Sequence, residues 1–296
     1  MTKQVIAFFG LGHMGHPMAH NLVKAGYQLQ VYDVAPAAMQ SMAALGATPA
    51  SSIADAVKAA DIIITMVQTG EQVSKLCRDE GGIFSHAKAD ALFIDCSSID
   101  IVTSRALHET AKQRGLDMLD APVSGGVAGA QGATLTFMVG GSEENFKRAQ
   151  PVLSHMGKKI VHAGQPGSGQ AAKICNNLLL GISMVGVCEA FTLASKLGLE
   201  PKKFFEISSN ASGQCWSMTS YCPVPDIIPN VPSNNDFQPG FMAKMMLKDL
   251  RLGQHAAELV NANIPLGAAV TELYEMFVNQ GFGDMDFSGI IKFIAK

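Results

Sequence analysis

The chain lacks the features of a disulfide-stapled, disordered or nucleic-acid-coating protein. Its 296 residues include only six cysteines, Cys77, Cys96, Cys175, Cys188, Cys215 and Cys222. No two form a C-x-x-C pair, so reduced thiols in a cytoplasmic protein are expected. Charged residues make up 16%, too few for a disordered chain. The 22 basic residues stand against 25 acidic ones. No basic excess exists to neutralise a phosphate backbone, so nucleic acid is not an expected partner. Long hydrophobic runs are missing too. The most apolar stretch, Leu178 to Cys188, is followed by Glu189 and is too short for the ~20 residues a bilayer span requires. Met1-Thr2-Lys3-Gln4 runs into an apolar strand without the basic, apolar and cleavage segments of a leader. No membrane partner is expected. Internal repeats and low-complexity segments are also lacking.

What the chain does have is apolar material, 48% of its residues. This is ample for a buried core, and with so little charge it points to subunit contacts as well. Val5 to Phe9 is a continuous apolar run, as in a strand buried on both faces. A glycine loop, a helix from about Pro17 to Ala25 and a second strand ending at Asp33 follow. Further strand candidates are 62–67, 92–95, 118–120 and 135–139, with helical patterns between most of them. Alternating strands and helices predict a doubly wound, mostly parallel α/β sheet. The loop Gly164-Gln165-Pro166-Gly167-Ser168-Gly169 ends that pattern. Beyond it the signals are helical, at about 170–196, 201–209, 240–262 and 265–280. Ser168 is a candidate N-cap, and a Pro- and Asn-rich loop covers roughly 221–239. The expected organisation is a Rossmann-type α/β domain at 1–164 and an all-helical domain at 165–296.

Gly10-Leu11-Gly12-His13-Met14-Gly15 matches G-x-G-x-x-G between a buried strand and a helix. Gly10 permits the tight turn, Gly12 lets the backbone approach a pyrophosphate, and Gly15 permits close helix–strand packing. The helix N-terminus offers unpaired N–H groups to phosphates. Asp33, 18 residues after Gly15, stands where a carboxylate meets ribose hydroxyls. Val34, Ala35 and Pro36 supply no arginine for a 2′-phosphate, so NAD is the expected cofactor. His16 and His20 are four apart, but Pro17 occupies the place of a zincin glutamate and no third ligand is near. No metal is expected.

Three further segments carry a family resemblance: Asp120-Ala121-Pro122-Val123-Ser124-Gly125-Gly126, the run from Gly167-Ser168-Gly169-Gln170 through Lys173 to Asn176-Asn177, and Lys248-Asp249-Leu250. With the glycine loop they resemble the β-hydroxyacid dehydrogenase family over essentially the whole chain. Gly213-Gln214-Cys215-Trp216-Ser217 and Pro223-Val224-Pro225 resemble its 3-hydroxyisobutyrate dehydrogenase branch. The chain departs from the family at Met66-Val67-Gln68, where Met-Leu-Pro is usual, and at Cys222, where asparagine is expected. The resemblance implies NAD-dependent, reversible oxidation of 3-hydroxyisobutyrate to methylmalonate semialdehyde, a step of valine catabolism. Reduction of tartronate or succinic semialdehyde is the alternative within the family. A catalytically inactive nucleotide-binding scaffold is the alternative outside it. A homo-oligomer, dimer or tetramer, is implied as well.

Residue by residue, the resemblance makes Lys173 catalytic. A lysine can hydrogen-bond the substrate hydroxyl and offset charge developing on its oxygen. To act as a base it must first be neutral. Sequence leaves both roles open. Asn177, four residues on, shares its helix face and can donate to the substrate. Ser124, Gly125 and Gly126 suit the substrate carboxylate, because small residues leave backbone N–H groups accessible to an anion. Ser98, after a strand end, is the family's cofactor- or substrate-contacting hydroxyl. Met66 and Val67 lie after an earlier strand, on the nicotinamide side. Lys248 is expected to reach the cofactor from the helical domain, with an ion pair to Asp249 as its competing role. Trp216, the single tryptophan, either walls the substrate pocket or fills the core.

Overall fold

The computed structural model describes residues 4–295. The chain divides into two compact units, one up to Lys173 and one from Ile174 onward. The first unit alternates strands and helices. In order they are β1 (Val5–Phe9), α1 (Gly15–Lys24), β2 (Gln28–Tyr32), α2 (Pro36–Ala44), β3 (Thr48–Pro49), α3 (Ile53–Val57), β4 (Ile62–Thr65), α4 (Gly70–Arg78) and α5 (Ile83–His86). Then come β5 (Leu92–Asp95), α6 (Ile101–Gln113), β6 (Asp117–Asp120), β7 (Val123–Ser124), α7 (Gly126–Gln131), β8 (Leu135–Gly140), α8 (Glu143–Leu153) and β9 (Gly157–Gly164). The long α9 (Ser168–Lys196) begins in this unit.

Strands β3, β2, β1, β4, β5 and β6 lie side by side in that order and all pair in parallel. The order reverses at β1, with β2 to one side and β4 to the other, so a crevice opens beyond the carboxyl ends of β1 and β4. Alternate residues of each strand supply two cores, one on each face. Ile6, Phe8, Ile62, Ile64, Leu92 and Ile94 enter one. Ala7, Phe9, Ile63 and Phe93 enter the other. A strand covered on both faces has no polar side, which is why these segments read as continuous apolar runs.

The far edge of the sheet is not parallel. β8 runs antiparallel to β6 and β7, and β9 pairs in parallel with β8. The sheet is therefore mixed, as doubly wound sheets often are at an edge. Sequence periodicity also passed over three strands. β3 and β7 have two residues each. β9 alternates half-buried and exposed residues and carries Lys158 and Lys159, the pattern of a protected edge.

The second unit is helical. Past Lys173 it contains the remainder of α9, then α10 (Pro201–Ser208), α11 (Trp216–Thr219), α12 (Ala243–Val260), α13 (Pro265–Phe277) and α14 (Ile291–Ile294). Met184 and Cys188 of α9 pack with Met246 and Leu250 of α12 and Val270, Tyr274 and Phe277 of α13. Gly181 lets α9 and α12 approach closely: a Cβ there would stand 2.9 Å from Leu250. By length and composition α9 is long and apolar enough to cross a membrane, with a window of mean hydropathy 1.8, although the run Leu178 to Cys188 alone is too short to do so. Its packing makes it the spine of the helical unit. All six cysteines are free, and burial pushes the thiols of Cys77, Cys96 and Cys188 well up.

Candidate active site

Parallel register aligns the carboxyl ends of the strands. Tyr32 pairs with Phe9, Phe9 with Thr65, Thr65 with Asp95, and Asp95 with Asp120. The residues just beyond this row therefore share one rim of the sheet. Gly10, Asp33, Met66, Val67 and Ser98 all lie there.

The glycine loop crosses the rim first. Gly10 has φ +89°, and a Cβ on it would stand 2.9 Å from Val67 Cγ1. A Cβ on Gly15 would clash with the carbonyl oxygen of Gly10, so the loop closes tightly against α1. Gly12 differs, because nothing lies within 4 Å of a Cβ built there. The cradle is open at the glycine assigned to pyrophosphate approach. No side chain caps the first turn of α1, where Met14 is the N-cap. Within that turn the His16 amide donates to the Gly12 carbonyl at 3.0 Å and Pro17 has no N–H, so fewer of the amides there than usual face an anion. His13 is exposed beside them. Asp33 holds the loop from the neighbouring strand. Its carboxylate accepts from the Leu11 amide at 2.6 Å and the Ala35 amide at 2.7 Å. Each oxygen keeps a second lone pair for a ribose hydroxyl. Val34 beside it is 92% exposed. These residues fit a dinucleotide.

Met66 and Val67 are half-buried. The Met66 amide donates to the carbonyl of Phe9 at 2.8 Å, and the Val67 amide donates to Ser97 Oγ at 3.0 Å. Ser97 is fully buried and serves the backbone, while its neighbour Ser98 is half-buried. Behind both serines lies Asp95. It accepts from Thr65 Oγ1 at 2.8 Å and from the Ser97 amide at 3.1 Å, and its Oδ2 has no partner. Burial pushes its carboxyl up to about 6. Sequence reasoning passed over Asp95 as a site residue, although an acid ending an apolar strand was a visible signal.

The Ser124 turn follows β7. Gly125 and Gly126 both have positive φ, +135° and +62°, which L side chains rarely adopt. No side chain caps α7 after them. Lys173 lies in the second turn of α9 and is 8% exposed. Ser168 is the first residue of that helix, not a flanking cap. The acceptor for the helix start comes from across the sheet. Asp120 takes the Gly167 amide at 2.8 Å and the Gln170 amide at 2.9 Å.

Asn177 and Lys248 belong to the second unit and converge on Asp249. Asn177 Nδ2 donates to Asp249 Oδ2 at 2.5 Å. Its Oδ1 accepts from Asn176. Lys248 Nζ stands 3.3 Å from Asp249 Oδ1, the ion pair that competed with a cofactor role. Asp249 itself is 5% exposed. Trp216 is half exposed, so it does not fill the core. It stacks on Tyr221, which stacks on Phe287. Among the described residues no three His, Cys, Asp or Glu side chains gather as a metal site.

Comparison with known proteins agrees with this geometry. Residues 5–164 match the family described as the NAD-binding domain of 6-phosphogluconate dehydrogenase. Residues 167–294 match the NAD-binding domain of NADP-dependent 3-hydroxyisobutyrate dehydrogenase. A probable 3-hydroxyisobutyrate dehydrogenase of Mycobacterium tuberculosis is 46% identical over 286 residues, 97% of this chain and 96% of the relative. The chain belongs to the 3-hydroxyisobutyrate dehydrogenase family. It is accordingly an NAD(P)-dependent 3-hydroxyacid dehydrogenase, an oxidoreductase acting on a CH–OH group. An NAD-dependent L-serine dehydrogenase of Pseudomonas aeruginosa is 45% identical over 287 residues, again 97% of this chain and 96% of the relative. The solved structure of a Mycobacterium tuberculosis 3-hydroxyisobutyrate dehydrogenase with L-serine superposes with a TM-score of 0.95 at 44% identity, covering 100% of both chains.

Proposed function

We propose that the enzyme oxidises 3-hydroxyisobutyrate with NAD, giving methylmalonate semialdehyde. The observation that carries this reading is the burial of Lys173 in the second turn of a helix whose start is bound to the strand-end rim. Gly10, Leu11, Gly12, His13, Met14, Gly15 and Asp33 hold the dinucleotide, with Met66, Val67, Ser98 and Lys248 toward its nicotinamide end. When bound, the dinucleotide supplies the hydride acceptor. Lys173 hydrogen-bonds the substrate hydroxyl and takes up or offsets the charge its oxygen develops. The Ser124-Gly125-Gly126 turn offers amides and a hydroxyl to the carboxylate. Asn177 orients the substrate with the N–H that Asp249 leaves free. NAD is preferred over NADP because Asp33 would oppose a 2′-phosphate and Val34 offers no counter-charge. The enzyme works in the cytoplasm as a dimer or tetramer, with neither nucleic acid nor membrane as a partner.

L-serine is the second reading, favoured by the serine dehydrogenase relative and the serine-bound structure. Serine and 3-hydroxyisobutyrate are both 3-hydroxy acids, with ammonium in place of methyl at C2, so the same groups act on either. NADH formation followed with 3-hydroxyisobutyrate, L-serine and glycerate, the alcohol that tartronate semialdehyde gives on reduction, and with the methyl ester of the first, tests the proposal. The expected result is the highest kcat/KM for 3-hydroxyisobutyrate and a far lower one for its ester. A higher kcat/KM for L-serine would reassign the substrate. Equal values for acid and ester would remove the carboxylate site.

A further inference from the structure

Lys173 can act only if the first turn of α9 is held in place relative to the strand ends. Two buried side chains outside the assigned site meet that turn. Asp120, fully buried at the end of β6, accepts from the amides of Gly167 through Oδ1 and Gln170 through Oδ2. Its Oδ1 also faces His108 Nε2 of α6 at 2.9 Å. This is an N-cap interaction supplied from a distant strand. Gln170, also fully buried, reaches the segment after β5. Its Nε2 donates to the carbonyl of Ser97 at 2.7 Å, and its Oε1 accepts from the Ile99 amide at 3.1 Å. Two glycines show how closely the turn is seated. A Cβ on Gly169 would stand 2.5 Å from the carbonyl oxygen of Asp120. A Cβ on Gly140 would stand 2.7 Å from the Gly169 amide.

Lys173 follows Gln170 by three residues, so both lie on neighbouring positions of one helix face. Asp120 also opens the segment that ends in Ser124-Gly125-Gly126. Ser97, the Gln170 acceptor, holds the Val67 amide as well. One buried polar network thus joins the start of the lysine helix to the strand ends that carry the cofactor-side residues. We infer that Asp120 and Gln170 are positioning residues, which fix the first turn of α9 and through it the place of Lys173 at the reacting hydroxyl. The inference rests on the catalytic reading of Lys173. Hydrogen bonding within a buried network rigidifies what it holds, and misplacing a reacting group by ~1 Å can lower turnover about a hundredfold.

Asp120→Asn, Gln170→Ala and Lys173→Ala are compared in the full chain. NADH-binding sites are counted by fluorescence titration, so that kcat is expressed per binding site. A loss of folded protein alone lowers the site count and leaves kcat per site unchanged. The positioning role predicts a fall in kcat per site of at least about tenfold for Asp120→Asn and several-fold for Gln170→Ala. KM for NAD should stay near wild type. The isotope effect on kcat with substrate deuterated at the reacting carbon should rise, as hydride transfer becomes slower relative to product release. Gln170→Ala removes a side chain from a helix that alanine favours, so it decides the matter even if Asp120→Asn does not fold. Wild-type kcat per site in the folded variants, with Lys173→Ala inactive, would overturn the positioning role alone. Wild-type turnover in Lys173→Ala would overturn the reading of Lys173 and the positioning role with it. A fall confined to one variant would remove the role from the other residue.

Discussion

The strand-end rim of the first unit and the loop cluster around Asp286 in the second both bury a carboxylate, but they satisfy it differently. Asp286 accepts from Tyr221 Oη, the amides of Gly240, Phe241 and Ser288, and Ser288 Oγ, at 2.6–3.0 Å. No oxygen is left over. Burial and Asp286 push the Tyr221 hydroxyl up, so it stays a donor. Asp95 in the rim keeps an oxygen with no partner. Buried polar groups are normally fully partnered, and an exception marks a place held for something besides stability. The cluster is a fastening between helices and loops. The rim leaves a buried carboxylate oxygen unpartnered beneath the residues proposed to hold the ligand.

The strongest way to break this contrast is to exchange what each region loses. Lys173→Ala should lower kcat by ~10²–10⁴-fold, the usual contribution of a positioned acid–base group, while NADH still binds. Steady-state rates beside a fluorescence titration of NADH measure the two separately. A mutant with more than about a tenth of wild-type turnover, against that range, would remove Lys173 from the chemistry. Asp286→Ala should do the reverse. It orphans donors from four residues, and each buried group left unsatisfied costs about 1–3 kcal/mol before relaxation and water entry reduce the sum. A loss of about 3–5 kcal/mol is expected in urea unfolding. A loss below about 1 kcal/mol would show that the cluster is not a fastening.

Much of this contrast was written in the sequence, and the missing part has a physical cause. The apolar runs 5–9 and 92–95 are local signals and lie where the pattern put them, while the strand expected at 62–67 ends at Thr65, where Met66 and Val67 turn onto the rim. The edge strand β9 was hidden because half its residues face solvent. The partners of the site residues were hidden for another reason. Asp120 lies 47 residues from the amide of Gly167, and Asn177 lies 72 from Asp249. Contacts at such separations leave no periodicity to read. Asp33 was assigned to the ribose from its spacing, but its bonds to the Leu11 and Ala35 amides emerge only when β1 and β2 lie side by side.

Asp95 sharpens the comparison through pH. Its carboxyl is raised from 3.8 to about 6, chiefly by burial. The folded state therefore binds this proton more tightly than the unfolded chain. The stabilisation is complete below pH ~4, the unfolded value, and is lost as pH rises through the folded value of about 6. Asp95→Asn does not titrate, so it should gain on wild type across this window by roughly 3 kcal/mol. Urea unfolding of both proteins at pH 4, 5, 6 and 7 measures the gain. A constant difference across the series would mean that Asp95 titrates like an exposed carboxylate.

Asp33 is the residue where the two uses of a carboxylate meet, since it fastens the loop and is the group proposed to meet the ribose. Its charge opposes a 2′-phosphate, and about 1.4 kcal/mol of such repulsion is already a tenfold preference. Asp33→Asn alone keeps one acceptor oxygen and replaces the other with a donor that faces a backbone amide. It should therefore weaken NAD binding without creating good NADP binding. Adding Val34→Arg supplies the missing counter-charge. Val34 is 92% exposed, so the longer side chain displaces nothing from the core. The double variant should shift the ratio of kcat/KM for NADP over NAD upward by about tenfold or more. Both cofactors must be measured at one ionic strength, because an exposed arginine–phosphate pair is screened by salt. A wild-type preference for NADP would overturn the assignment of Asp33. An unchanged ratio in the double variant would leave Asp33 a loop fastener only, like Asp286 in the second unit.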